Sequence, residues 1–74
     1  NRMSKITTAM IRSKMGSGNV CTVCCPDGTK AVIERCPPRQ NVPDEYFFID
    51  WDASDVEYCV VSIEALVKAL NCHR

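Results

Sequence analysis

Residues 54–72, SDVEYCVVSIEALVKALNC, decide how this chain is read. Ser54 followed at the third place by Glu57 has the spacing of a capping box, in which a side-chain oxygen satisfies a free helix N–H and the glutamate reaches back to the cap. Val56, Cys59, Val60, Ile63, Leu66, Val67 and Leu70 then recur at three-four spacing, which gathers them on one side of a helix. Glu57, Ser62, Glu64 and Lys68 fall on the other side, with Glu64 and Lys68 at the separation that favours a weak ion pair. The pattern predicts one helix over residues 54–72, lying as a lid on a small core. The β-branched cluster Val60, Val61 and Ile63 supports a competing reading, because such side chains lose rotamer freedom in a helix and suit a strand. In that version residues 56–62 are a strand and only a short helix follows.

An amphipathic helix of this length needs partners to persist in water. A chain of 74 residues forms one domain, in the size range where a hydrophobic core leaves little margin and cross-links become common. It contains six cysteines, an even number in a short chain, which points to three disulfides and an oxidising, extracellular compartment. All six, Cys21, Cys24, Cys25, Cys36, Cys59 and Cys72, are expected to take part, and fifteen pairings remain open. No run is apolar enough to cross a bilayer, and the start is read as carrying no basic-then-apolar leader. Net charge is zero but uneven. Residues 1–40 hold seven Lys/Arg against two acids, and residues 41–74 hold seven acids against two Lys/Arg. Either the halves face each other in the fold, or the basic half is kept for an anionic partner.

Upstream, residues 2–15 place Met3, Ile6, Met10 and Ile11 on one side of a predicted helix, with Arg2, Lys5, Arg12 and Lys14 around it and Gly16 to end it. The Gly16-Ser17-Gly18 joint would allow residues 1–18 to move. Residues 19–25 and 29–36 read as two strands of a hairpin, joined by the Cys25-Pro26-Asp27-Gly28 turn. A helix capped by Asp27 or Thr29 is the alternative for the second of them. Cys24 and Cys25 point in opposite directions if that segment is extended. Prolines make residues 36–43 a stiff surface loop. Residues 46–51, YFFIDW, carry four of the five aromatic side chains and predict a third strand. Alternation assigns Phe47, Ile49 and Trp51 to the core and leaves Tyr46 and Phe48 either covered by the first helix or open to solvent, where they would form a binding patch. The fold expected is therefore α+β: an N-terminal helix, a small three-stranded antiparallel sheet and a long C-terminal helix packed on it, stapled by disulfides.

Catalytic patterns are absent from this reading. The single histidine, His73, is next to last, and no glycine-rich phosphate loop or serine-nucleophile motif occurs. Cys21 and Cys24 form a CxxC that, with Cys25, Cys36, Cys72 and His73, offers sulfur and nitrogen ligands for zinc, yet the second closely spaced pair of a zinc ribbon is missing. Asp50, Asp52 and Ser54 sit at the first, third and fifth places of a calcium loop, whose turn glycine and closing glutamate are replaced by Asp55 and Val61. No cofactor and no catalytic or metal residue is assigned.

The cysteine spacing, Cys21-x-x-Cys24-Cys25, the glycine turn, Cys36, then Cys59 and Cys72, resembles that of small cysteine-rich secreted fungal proteins, the killer toxins and toxin-like effectors, over residues 21–72. The resemblance implies a secreted, non-enzymatic toxin, effector or inhibitor. Its expected contact surface combines the 36–45 loop with Arg39, Tyr46 and Phe48, and the basic residues Lys5 and Arg12 of the first helix. The partner expected is a protein or an anionic membrane surface rather than nucleic acid. A small intracellular zinc module and a membrane-active peptide built on the basic helix are the alternatives.

Overall fold

Strand alternation in YFFIDW organises the molecule. The structure, a computed structural model, describes residues 5–52 and 54–72. Its elements run α1 (Thr8–Met15), β1 (Val20–Cys24), β2 (Lys30–Cys36), β3 (Tyr46–Trp51), β4 (Glu57–Val60) and α2 (Ile63–Cys72). The four strands form one antiparallel sheet in the order β1-β2-β3-β4, each beside its sequence neighbour. Cys21, Val23, Ala31, Ile33, Phe47, Ile49 and Trp51 all lie on one face and join Ile11 and Met15 of α1 and Ile63, Leu66 and Leu70 of α2 in a single buried cluster. Both helices therefore pack on the same side of the sheet, and the other side is left uncovered.

The α+β class, the two flanking helices and the YFFIDW strand match expectation, whereas the long C-terminal helix does not. Residues 57–60 form a fourth strand, paired Phe47↔Val60 through Asp50↔Glu57, and the helix starts only at Ile63. Two local facts decide between the readings. The Ser54 hydroxyl accepts from the N–H of Val56 at 3.1 Å, closing a tight turn two residues on instead of capping a helix. Ser62 supplies the cap, accepting from the N–H of Ala65 at 3.0 Å, while its carbonyl accepts from Leu66. Tyr58 then meets the Trp51 ring edge-on at 5.1 Å, a cross-strand contact that only the extended conformation permits.

The first helix is shorter than predicted, Thr8–Met15 rather than 2–15, with Arg2 and Met3 outside the described residues. The Thr7 hydroxyl caps it by accepting from Met10 N–H at 3.2 Å. Gly16 ends it with φ 58° and donates its N–H to Arg12. Just before the helix, Ile6 is buried, and its backbone exchanges two hydrogen bonds of 2.8 Å with the Asn71 side chain near the end of α2. The Cys25-Pro-Asp-Gly28 turn forms as expected, Gly28 donating to Cys25 O at 2.8 Å with φ 91°.

None of the six cysteines is bonded to another, which corrects the expectation of a disulfide-stapled domain. The pleat gives the reason. Cys21 and Cys25 face the helices, while Cys24, Cys36 and Cys59 belong to the opposite parity of the sheet. Cys21 and Cys25 are four residues apart along one extended segment, about 13 Å at roughly 3.3 Å per residue. Cys36 and Cys59 have the whole width of β3 between them, about 10 Å at two strand spacings. Cys24 lies opposite Lys30, six residues from Cys36, or about 20 Å. A bridge requires Cα atoms within about 7 Å. Cys72 ends α2 with its side chain exposed.

Because Ser62 rather than Ser54 caps α2, Ser62→Ala should lower stability by about 1 kcal/mol in urea unfolding, and Ser54→Ala by less than half of that.

Candidate interaction surface

Helices on one face of the sheet leave the other face as the largest organised surface without cover. Strand parity fixes what it presents: Val20, Thr22 and Cys24 from β1, Lys30, Val32, Glu34 and Cys36 from β2, Tyr46, Phe48 and Asp50 from β3, and Glu57 and Cys59 from β4. Across the strands, one row reads Val20, Glu34, Phe48, Cys59 and the next Thr22, Val32, Asp50, Glu57. Val20 and Val32 are exposed, and Tyr46 and Phe48 are half-buried, their rings meeting edge-to-face at 5.6 Å. Covering by the first helix, one of the two fates foreseen for Tyr46 and Phe48, does not occur.

Arg39 reaches this surface from the proline loop. A two-residue turn holds it there, with Arg39 N–H donating to Val42 O at 2.8 Å and Val42 N–H returning to Arg39 O at 3.0 Å. Its guanidinium donates to the Tyr46 hydroxyl at 2.9 Å and sits 6.0 Å from the ring centroid. Hydrogen bonding with Cys36 holds the Tyr46 phenol above its ordinary pKa, desolvation adds to the rise, and Arg39 acts against it. The charge of Cys59, one strand over, is also felt by the phenol. Arg39, Tyr46 and Phe48 thus come together as the sequence suggests, with Cys36 and Cys59 flanking them.

Asp50 lies directly opposite Glu57, and Glu34 is in the adjoining row. Like charges in direct cross-strand register are unfavourable, and no strand-borne cation lies between these two. A shallow depression of about 250 Å³ opens beside them, lined by Thr22, Lys30, Val32, Asp50, Asp52 and Ser54. The surface is therefore aromatic in one part and acidic in another. Sequence reasoning named its aromatics but missed Val20, Val32 and the Asp50–Glu57 pair. The first two were legible from alternation, and the pair becomes visible only once residues 57–60 are a strand.

The basic helix has another task. Arg12 forms a bidentate pair with Glu45 at 3.0 and 2.5 Å, and Arg35 of β2 donates its Nε to the same carboxylate at 2.8 Å and its Nη1 to Asn19 Oδ1 at 3.1 Å. The two guanidinium groups hold the Glu45 carboxyl down at about 2. Here the basic half meets the acidic half and pins α1 to the loop entering β3. Since Ile11 and Met15 are buried in the core, α1 has turned its apolar side inward and not toward a lipid surface. Lys5 is exposed and lies before α1.

Among the described residues, no three or more His, Cys, Asp and Glu side chains converge as a metal site would require, and no helix is long and apolar enough to cross a membrane. The CxxC pair splits between the two faces of β1, and His73 lies outside the described residues. Burial raises the thiol pKa of Cys21 and of Cys25, with the Trp51 indole N–H partly offsetting the rise at Cys25.

Two outcomes are expected. Under non-denaturing conditions, iodoacetamide should modify exposed Cys24, Cys59 and Cys72 first and Cys21 and Cys25 slowest, with all six reacting after unfolding without reductant; intact mass reads the result. A Glu45 carboxyl with a depressed folded-state pKa stabilises the fold above its unfolded value of 4.5, and this contribution is lost as pH falls through about 2. Glu45→Gln should therefore cost about 1 kcal/mol at neutral pH, a difference that shrinks toward pH 2 in urea midpoints. Comparison with protein-family models, with curated proteins and with solved structures finds no match to this chain.

Proposed function

We propose that the chain is a non-enzymatic binding domain that uses the uncovered sheet face, around Tyr46, Phe48 and Arg39, to hold a cationic segment of a partner protein. The observation that carries this reading is the juxtaposition of a half-exposed aromatic pair with the opposed carboxylates Asp50 and Glu57. Aromatic rings supply contact area at low entropic cost, and a lysine or arginine from the partner relieves the carboxylate repulsion. An acidic face also disfavours nucleic acid, whose phosphates need cations opposite them. A secreted toxin, effector or inhibitor remains the role to which the cysteine spacing lends support, and blocking a host or competitor protein requires nothing more than such a face.

Selection of a random peptide library on the folded domain tests the idea. Peptides rich in Lys or Arg with an apolar neighbour are expected, with affinity at least about ten-fold weaker for Phe48→Asp and for the pair Asp50→Lys, Glu57→Lys. Lys5→Glu should leave binding unchanged, and circular dichroism confirms that each variant is folded. Selected peptides that bind Phe48→Asp as tightly as the parent domain would place recognition elsewhere.

A further inference from the structure

The sheet ends on β4, one of its two edges. Three of the five large apolar side chains exposed among the described residues, Val56, Tyr58 and Val61, lie on or beside this strand, and Val61 is 75% exposed. Charged residues, prolines and bulges are the usual guards of an edge. From 44 to 67 the sequence has no Lys, Arg or Pro, and the six residues 56–61, VEYCVV, carry one charge.

The ladder determines which backbone groups of this edge are free. Asp52 N–H donates to Lys30 O, so the alternation of an antiparallel ladder turns the backbone of Asp50, Phe48 and Tyr46 toward β2 and that of Trp51, Ile49 and Phe47 toward β4. By the register, Tyr58 and Val60 then bond back to β3. Glu57 and Cys59 point their N–H and C=O outward; β4 ends at Val60, and Val61 lies in the bend that leads to α2. A second antiparallel strand finds two consecutive outward-facing residues here.

We infer that β4 pairs with β4 of a second copy of this chain, antiparallel about a two-fold axis at Cys59. A two-fold edge contact is self-complementary, so one strand supplies both partners. With Cys59 opposite Cys59 of the second copy, Glu57 lies opposite Val61, and the two Glu57 side chains are four positions apart, about 13 Å. A shift that brings the axis to residue 57 would set the two carboxylates face to face, which is unfavourable. The chosen register exchanges the outward groups of Cys59 between the two copies, sets Glu57 beside the bend at Val61 and brings Tyr58 beside Val60. The two uncovered faces then become one surface of eight strands. The pairing shares Glu57 with the binding reading above but rests on the backbone of β4, so it does not require that reading.

Sedimentation velocity over a concentration series gives the test. A reversible dimer is expected for the unaltered chain. Val61→Glu places a carboxylate opposite Glu57 twice in the two-fold pair and should weaken the dimer about ten-fold, whereas Val61→Lys should preserve or strengthen it. Adding Glu57→Lys to Val61→Glu should restore association. In a Cys24→Ser, Cys36→Ser, Cys72→Ser background, a short bismaleimide should join two chains through Cys59. A monomer at all concentrations overturns the inference, as does a dimer indifferent to the charges at 57 and 61 or one that fails to cross-link through Cys59. Because Val61 is mostly exposed and outside the strand, its substitution leaves the fold intact, as circular dichroism will verify.

Discussion

The two-residue period of β3 is the constraint on which the rest of the structure depends. Phe47 and Ile49 are fully buried and Trp51 nearly so, at the centre of a core that α2 covers over β3 and α1 over β1. The same backbone, with no freedom to do otherwise, turns Tyr46, Phe48 and Asp50 to the far side. A one-residue slip would exchange the two sets, burying Asp50 and exposing Phe47 and Ile49 to water. The uncovered face is thus the obligatory counterpart of the core.

Cohesion comes from packing and from a few well-placed polar contacts, with the thiols in ordinary side-chain roles. Cys21 and Cys25 are core residues, behaving as the small hydrophobes that buried cysteines commonly are. Glu45 replaces part of what a cross-link would have done, since it joins α1, β2 and the segment entering β3 through two guanidinium groups. Its partners remain partly exposed, so the junction is sensitive to acid and to salt in a way a covalent bond is not.

Much of the fold was legible. The YFFIDW strand, its inward and outward sets, the proline-glycine turn and Gly16 as a helix stop all follow from local chemistry that tertiary structure did not override. Residues 54–62 were misread because they satisfy two local rules together: a Ser-x-x-Glu spacing that looks like a cap, and a β-branched, aromatic run that suits a strand. What decided between them is pairing, the free edge of β3 and the Trp51 ring that meets Tyr58 across it, which neither helical periodicity nor a cap pattern registers. The inference of disulfides failed for a related reason. Cysteine count describes a class of proteins, whereas bridging depends on which face and which strand each sulfur occupies. Of the uncovered face, the aromatic part was readable and the acidic part depended on the misread strand.

The amide of Asn71 holding both backbone groups of Ile6 spans 65 positions of sequence, while every strand pairs only with its immediate neighbours. Such a meander is assembled from consecutive hairpins, without a crossover. Among the hydrogen bonds of the described residues the Asn71 link closes the longest stretch of chain, and so carries the largest closure entropy. Losing that link alone would release Ile6, while Ile11 and Met15 in the core and Arg12 on Glu45 still hold α1 in place.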